Sequence, residues 1–178
     1  MGKVEKEFSK LRTLLADETP NIIPSLEEGK FPNLNVLDIR KTNIEDASWL
    51  ANYHLIEELD VGHNRITDAS FLSEIKQLRI LYIPRNNNLK VPSLSDHTKL
   101  DEVVIGYNGL TNASVFKNSS INRLNILGNN ISDLSPLSEN KNMAQLLAKE
   151  NPIKVCPSNT KSPGLNDFCK ARSQNKAH

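Results

Sequence analysis

Long apolar runs are missing from this chain of 178 residues. No stretch of 18 hydrophobic residues occurs, so no segment is long and apolar enough to cross a bilayer as a helix. An excess of one charge is missing too: 22 Lys and Arg face 21 Asp and Glu. That balance offers no electrostatic basis for nucleic acid or an anionic membrane as partner. Aromatic residues make up only 5%, which leaves Leu, Ile and Val to build a core. The two cysteines do not form a Cys-x-x-Cys pair, and His54, His63, His97 and His178 are scattered. No glycine-rich phosphate loop, His-Glu-x-x-His or Gly-x-Ser-x-Gly is present. Catalysis and cofactor binding therefore have no constellation to rest on. His63 lies near Glu58 and Asp60 but lacks the clustered ligands a metal needs, so no metal site is expected. The opening Met1-Gly-Lys-Val-Glu-Lys-Glu carries no hydrophobic signal region, and Lys6 stands where myristoylation wants Ser or Thr. These residues leave two placements open: the cytoplasm, or export after loss of a leader that they do not include.

What is abundant is repetition. Copies of one pattern begin at Leu34, Ile56, Leu78, Leu100, Ile121 and Met143, 22 residues apart except for 21 between the fourth and fifth. The second copy reads Ile56-Glu-Glu-Leu59-Asp-Val61-Gly-His-Asn64-Arg-Ile66. Its fourth column is Leu37, Leu59, Leu81, Val103, Leu124, Leu146, and its sixth is Ile39, Val61, Ile83, Ile105, Ile126, Ala148. Polar or variable residues separate these columns, the alternation of a short strand with one buried face. One strand per copy, always in the same direction, gives a parallel sheet along one side of a solenoid. The seventeenth column (Leu50, Leu72, Leu94, Phe116, Leu137) closes the core from the other side, through segments that suit short 3₁₀ turns. The ninth column is Thr42, Asn64, Asn86, Asn108, Asn129 and Asn151. There the chain leaves the strand and buries backbone groups that have lost their ladder partners. An Asn carries two donors and an acceptor, so Asn64, Asn86, Asn108, Asn129 and Asn151 are expected to form a buried structural ladder. The third copy departs in its turn: Asn86-Asn-Asn-Leu89 puts Leu one place late, and Val91-Pro92 replaces Ala-Ser. The distortion reads as drift in a tolerant loop, with a recognition feature as the alternative.

The period and its internal Leu-x-x-Leu-x-Leu-x-x-Asn-x-Ile resemble the leucine-rich repeat family. Asp and Ser after the Ile, as in Ile66-Thr-Asp68-Ala-Ser70-Phe-Leu72, make the chain similar to the bacterial internalin class. The resemblance covers residues 34–155 and implies an α/β solenoid: a leucine-rich repeat horseshoe with a parallel β-sheet on the concave face and short 3₁₀ turns on the convex side. Residues 1–33 read as an N-terminal helical cap and lead-in. Val4, Phe8, Leu11 and Leu15 recur at helical spacing over residues 3–17, and Pro20, Pro24, Gly29 and Pro32 follow as turns. Residues 156–178 read as a C-terminal cap and tail, with 170–178 as a frayed end. Cys156-Pro157 followed by Cys169 resembles the cap of bacterial leucine-rich repeat proteins, which implies a Cys156–Cys169 disulfide. On residues alone, Cys156 also fits as a small buried hydrophobe, since Ala47, Ala69, Val91, Ala113 and Leu134 fill the same column.

Function, on the resemblance, is non-enzymatic binding of a protein or glycan through the concave face by a monomeric, bacterial secreted, periplasmic or surface protein. The ligand is then a host or envelope component. The alternatives are an intracellular adaptor or phosphatase-type regulatory subunit, and a structural spacer. The outward columns name the candidates. Asp38, Glu58 and Asp60 gather acid in the first two copies, while Ile80, Tyr82, Pro84, Val104, Tyr107 and Leu127 turn apolar surface outward beside Arg85. Aromatic and Arg anchors with a polar rim make a binding hot spot, and Gly62, Gly106 and Gly128 offer a partner access to the backbone. The exported and cytoplasmic readings separate in one titration. Under denaturing, non-reducing conditions no free thiol is expected; two free thiols remove the exported reading.

Overall fold

The computed structural model describes residues 8–86 and 88–174. Seven three-residue strands form one all-parallel sheet in chain order: β1 Thr13–Leu15, β2 Val36–Asp38, β3 Glu58–Asp60, β4 Ile80–Tyr82, β5 Glu102–Val104, β6 Arg123–Asn125 and β7 Gln145–Leu147. From β2 onward the register follows the columns, so Leu37, Leu59, Leu81, Val103, Leu124 and Leu146 stand in line and are buried. The convex side carries 3₁₀ turns at Ser48–Asn52, Ser70–Glu74, Ser114–Phe116 and Ser135–Leu137. Each starts from one device. A side-chain oxygen of Asp46, Asp68, Asn112 or Asp133 accepts the amide of the Ser two residues on, at 2.7–3.0 Å, an Asx-type turn. The third copy has Lys90 and Pro92 at those places, which removes both acceptor and donor, and no such turn forms there.

The N-terminal stretch differs from the helix expected over 3–17. Its first residues, 3–7, lie outside the described ones, and residues 13–15 are strand. Thr13 pairs with Val36 and Leu15 with Asp38. Amides of Asn35 and Val36 donate to the Arg12 carbonyl, and Ala16 and Glu18 donate to Asp38 and Arg40. Leu11, Leu14, Ala16 and Thr19 are a degenerate copy of columns one, four, six and nine. Leu11, together with Leu15 of column five, also satisfies a helical spacing. The bare edge of β2 decides the matter, because its unpaired amides and carbonyls find partners only in another strand. A five-residue helix, α1 (Ile23–Glu27), then covers the first copy with buried Leu26, whose carbonyl accepts the Tyr53 hydroxyl at 2.6 Å.

The far end is closed by α2 (Pro163–Gln174). Gly164 lies so close to β7 that a Cβ would meet the Ala144 and Gln145 backbone at 2.9 Å, and its amide donates to Met143. Cys169 on this helix is disulfide-bonded to Cys156 with Cα atoms 5.6 Å apart. Lys170 to Gln174, expected as a frayed end, continue the helix, and Arg172 donates to the Ile153 carbonyl at 2.8 Å.

All five Asn of the ninth column are buried. Asn129 is representative. Its Oδ1 accepts the amides of Asn108 and Leu110 at 3.0 Å, and its Nδ2 donates to the Ile105 and Ile126 carbonyls at 3.1 and 2.9 Å. Every such side chain binds its own turn to the preceding one. The irregular third copy keeps this bond in altered form: the Leu89 amide donates to the Asn108 backbone carbonyl rather than to its side chain.

A second buried polar file went unrecognised in the sequence. The twentieth column holds Tyr53, Ile75, His97, Ser119, Asn140 and Ser162, all buried. Asn140 Nδ2 donates to the Phe116 carbonyl and His97 Nε2 to that of Leu72, at 2.7 and 2.8 Å. A carbonyl only accepts, so the His97 proton sits on Nε2. His97 Nδ1, Asn140 Oδ1 and Ser162 Oγ have no hydrogen-bond partner among the described residues.

Two stability measurements follow. Asn129→Ala strands the buried amides of Asn108 and Leu110, while the Ile105 and Ile126 carbonyls keep Asn108 and Asn151 as donors. At roughly 1–3 kcal/mol per orphaned group it is expected to lower urea-unfolding stability by about 2 kcal/mol or more. Burial holds the His97 pKa below its ordinary 6.5, with Lys76 pushing the same way and Asp96 opposing. Above 6.5 the folded and unfolded chains are both neutral there. Below it the unfolded chain takes a proton the folded one resists, so stability falls with pH. His97→Asn, which can copy the Asn140 bond, is expected to flatten the fall in Tm between pH 7 and pH 5 relative to the parent.

Candidate functional site

The strands place columns three and five on the solvent side of the sheet, and the turn after each strand adds columns seven and eight. Residues of column eight (Glu18, Lys41, His63, Arg85, Tyr107, Glu150) share positive φ of 55–58°, with Gly128 at 64°. This left-handed step costs a non-glycine residue roughly 1 kcal/mol. In return it aims each amide at the column-seven carbonyl of the next copy: His63 to Pro84, Arg85 to Gly106 and Tyr107 to Leu127, at 2.8–2.9 Å. The ladder thus continues past the strand ends, and column eight becomes the rim of the concave face.

Besides a rim depression of about 330 Å³ between Arg40, Lys41, Asp60, His63, Tyr82 and Pro84, two hollows interrupt the strand face. The first, of about 250 Å³, is lined by Leu15, Val36, Asp38, Arg40, Glu58, Asp60 and Tyr82. Arg40 holds Asp38 at 3.0 Å and reaches Asp60 only at 3.8 Å. Asp60 accepts the Gly62 amide, yet burial, with repulsion from Asp38, raises its pKa. The Glu58 side chain is half-buried, and its carboxylate has no hydrogen-bond or ion-pair partner among the described residues. The second hollow, of about 150 Å³, lies between Glu102, Val104, Arg123, Asn125, Gln145 and Leu147. A hydrogen-bonded bar separates the two. The Tyr82 hydroxyl donates to Glu102 at 2.8 Å, and Arg123 donates to the same carboxylate and to Asp101 at 2.8 Å. Burial and that bond push the Tyr82 pKa up to about 12.

The predicted residues therefore separate into groups. Asp38, Glu58, Asp60 and Tyr82 share the first hollow, with Ile80 beside Glu58 in register. Val104 belongs to the second. Tyr107 sits apart on the rim: its hydroxyl donates to Glu150 at 2.9 Å, and Arg85 lies 4.4 Å from its ring centre. Pro84 and Leu127 fill space beside the column glycines. A Cβ on Gly62 would meet Pro84 at 3.0 Å, one on Gly106 the Leu127 carbonyl at 2.9 Å, and one on Gly128 would fall within the Tyr107 ring. Gly62 and Gly128 thus admit this chain's own Pro84 and Tyr107 side chains and Gly106 the Leu127 carbonyl, where the sequence suggested room for a partner. Sequence reasoning missed Leu15 and Leu147, 68% and 56% exposed, at the two ends of column five. Leu147 was visible in that column, whereas Leu15 was hidden by the helical reading. His63 is exposed on the rim, and among the described residues no group of His, Cys, Asp or Glu could hold a metal ion.

No protein-family model matches the chain, and no curated protein matches it in sequence. Solved structures do match in shape. An internalin from Listeria monocytogenes superposes with a TM-score of 0.65 at 24% identity, over 80% of this chain and 42% of that one. The functional domain of InlJ from the same organism, described as including a cysteine ladder, gives 0.62 at 19% over 86% and 37%. The ectodomain of a plant membrane receptor kinase from Arabidopsis thaliana, in complex with CASPARIAN STRIP INTEGRITY FACTOR 2, gives 0.59 at 20% over 83% and 19%. This is a leucine-rich repeat fold. The likeness is one of fold, and the chain spans under half the length of these three structures.

Within that leucine-rich repeat frame, the Tyr107–Gly128 contact gives a direct check on the rim. Gly128→Ala must displace the Tyr107 ring and is expected to destabilise by about 1–3 kcal/mol in urea unfolding. The penalty should shrink when Tyr107 is already Ala, as a coupling energy between contacting residues requires.

Proposed function

We propose that this chain is a non-enzymatic binding module that holds a protein ligand against its concave face. It acts as a monomer outside the cytoplasm, as a bacterial secreted, periplasmic or surface protein of the internalin-like class. One observation carries the reading. Solvent-facing strand positions hold Ile80, Tyr82, Val104 and Leu147, framed by Asp38, Asp60, Glu102 and Arg123, where an unoccupied soluble surface favours polar residues. Aromatic and Arg side chains ringed by paired charges are the composition of interface anchors. The plant ectodomain of the same fold was solved with a bound factor, and the internalins supply the bacterial precedent. The Cys156–Cys169 disulfide supports an oxidising compartment, where such bonds persist.

Photocrosslinking residues at Val104 and Leu147, compared with convex Lys117 and Asn118, test the face directly. Adducts with envelope or host proteins are expected from the concave pair alone, and Tyr82→Ala should reduce their yield at least tenfold. Equal labelling from the convex pair rejects the concave face.

A further inference from the structure

We propose that the ligand presents an extended segment whose arginine side chain occupies the first hollow, with an apolar side chain about four residues away occupying the second. The inference rests on the concave face being the binding face and adds what that face selects.

The first hollow holds more negative charge than the chain compensates. Three carboxylates, Asp38, Glu58 and Asp60, line it beside Arg40, which is committed to Asp38 at 3.0 Å and meets Asp17 and Asp60 only at 3.7 and 3.8 Å. Glu58 has no partner among the described residues, and its neighbours in register are Val36 and Ile80. An unpaired, half-buried carboxylate between two aliphatic side chains is costly on its own. A cation on a methylene stem offers a partner to the two carboxylates that Arg40 leaves over, the stem lying on Val36, Ile80 and exposed Leu15 while the charged head reaches Glu58 and Asp60. Tyr82, tied through its hydroxyl to Glu102, puts an aromatic ring at the edge of the same hollow. A planar guanidinium pairs with carboxylates through two parallel bonds and stacks on an aromatic face, neither of which an ammonium does. The chemistry thus favours arginine over lysine.

The second hollow asks for something different. Arg123 is already matched by Asp101 and Glu102 at 2.8 Å, so Val104 and Leu147 remain as its unsatisfied surface. The hollows are centred near β2–β3 and β5–β6, three strand spacings apart, or about 14 Å. An extended peptide advances about 3.3–3.6 Å per residue, which sets the four-residue separation. The Tyr82–Glu102–Arg123 bar is the ridge such a segment crosses.

A phage-displayed library of random nonapeptides, selected on the oxidised full chain, tests this. Enrichment of arginine with Leu, Ile or Phe about four positions away is expected. Selected peptides should bind the Glu58→Gln/Asp60→Asn variant at least tenfold more weakly, and Leu147→Asn about fivefold more weakly. Melting temperatures should be no lower than the parent's, because the Asp60→Asn amide oxygen still accepts the Gly62 amide, the double substitution removes half-buried charge, and Leu147 is exposed. Enrichment of acidic or uncharged peptides, equal use of lysine, insensitivity to Glu58→Gln/Asp60→Asn, or no enrichment at all overturns the proposal. Backbone amide shifts keep the two readings distinguishable. Peptides that perturb the strands but lack arginine reject only this inference, while peptides that perturb only the convex turns reject the concave face itself.

Discussion

The structure depends on how it disposes of backbone at the bend that follows each strand. A three-residue strand satisfies few of its own polar groups, and the turn inward buries amides and carbonyls that no ladder reaches. Asn64, Asn86, Asn108, Asn129 and Asn151 meet that demand from a single column. Each offers Oδ1 to amides of the preceding copy and Nδ2 to carbonyls on both sides, as Asn64 does with Thr42, Ile44, Ile39 and Val61. No copy satisfies its own bend alone, so folding couples neighbours and the solenoid needs closed ends. β1 with α1 closes one end and α2 with its disulfide the other. At the first copy Thr42 stands in for Asn, accepting less and donating its hydroxyl to the Ile39 carbonyl.

The outward surface inherits its shape from the same constraint. Holding column eight in the left-handed region keeps the amide ladder running past the strand ends, at a conformational cost repeated in most copies. Glycine enters columns seven and eight where a neighbouring group needs the room: the Pro84 ring beside Gly62, the Leu127 carbonyl beside Gly106, the Tyr107 ring over Gly128. The concave face is therefore a preorganised surface. Its charged and aromatic groups are already fixed to one another, Tyr82 to Glu102 and Arg123, Tyr107 to Arg85 and Glu150, and a ligand has little left to order.

Much of this was legible before any coordinates, because the core and ladder columns repeat and a repeated residue reports a repeated environment. Asn64 to Asn151 and the Leu and Ile columns could be assigned burial and direction from spacing alone. β1 could not, since Leu11 and Leu15 fit a helix as well as a strand and only the open edge of β2 favours one. The twentieth column escaped notice because Tyr53, Ile75, His97, Ser119 and Asn140 share a place and no chemistry. The face was partly legible. Columns three and five named the outward residues, but which of them meet is fixed by side-chain reach across copies, as when Tyr82 turns to Glu102 and away from Tyr107. Core columns thus record how the chain folds, and variable columns hold what is particular to its outward surface.

The most direct test of the shared bend is native-state hydrogen exchange of the amides that donate to the Asn side chains, those of Ile44, Ile66, Leu110 and Ile131. If the ladder couples all copies, these amides exchange only through global unfolding, with one common free energy matching that from urea denaturation. Exchange of each through its own local opening, as fast as the amides of the convex 3₁₀ turns, would contradict the account.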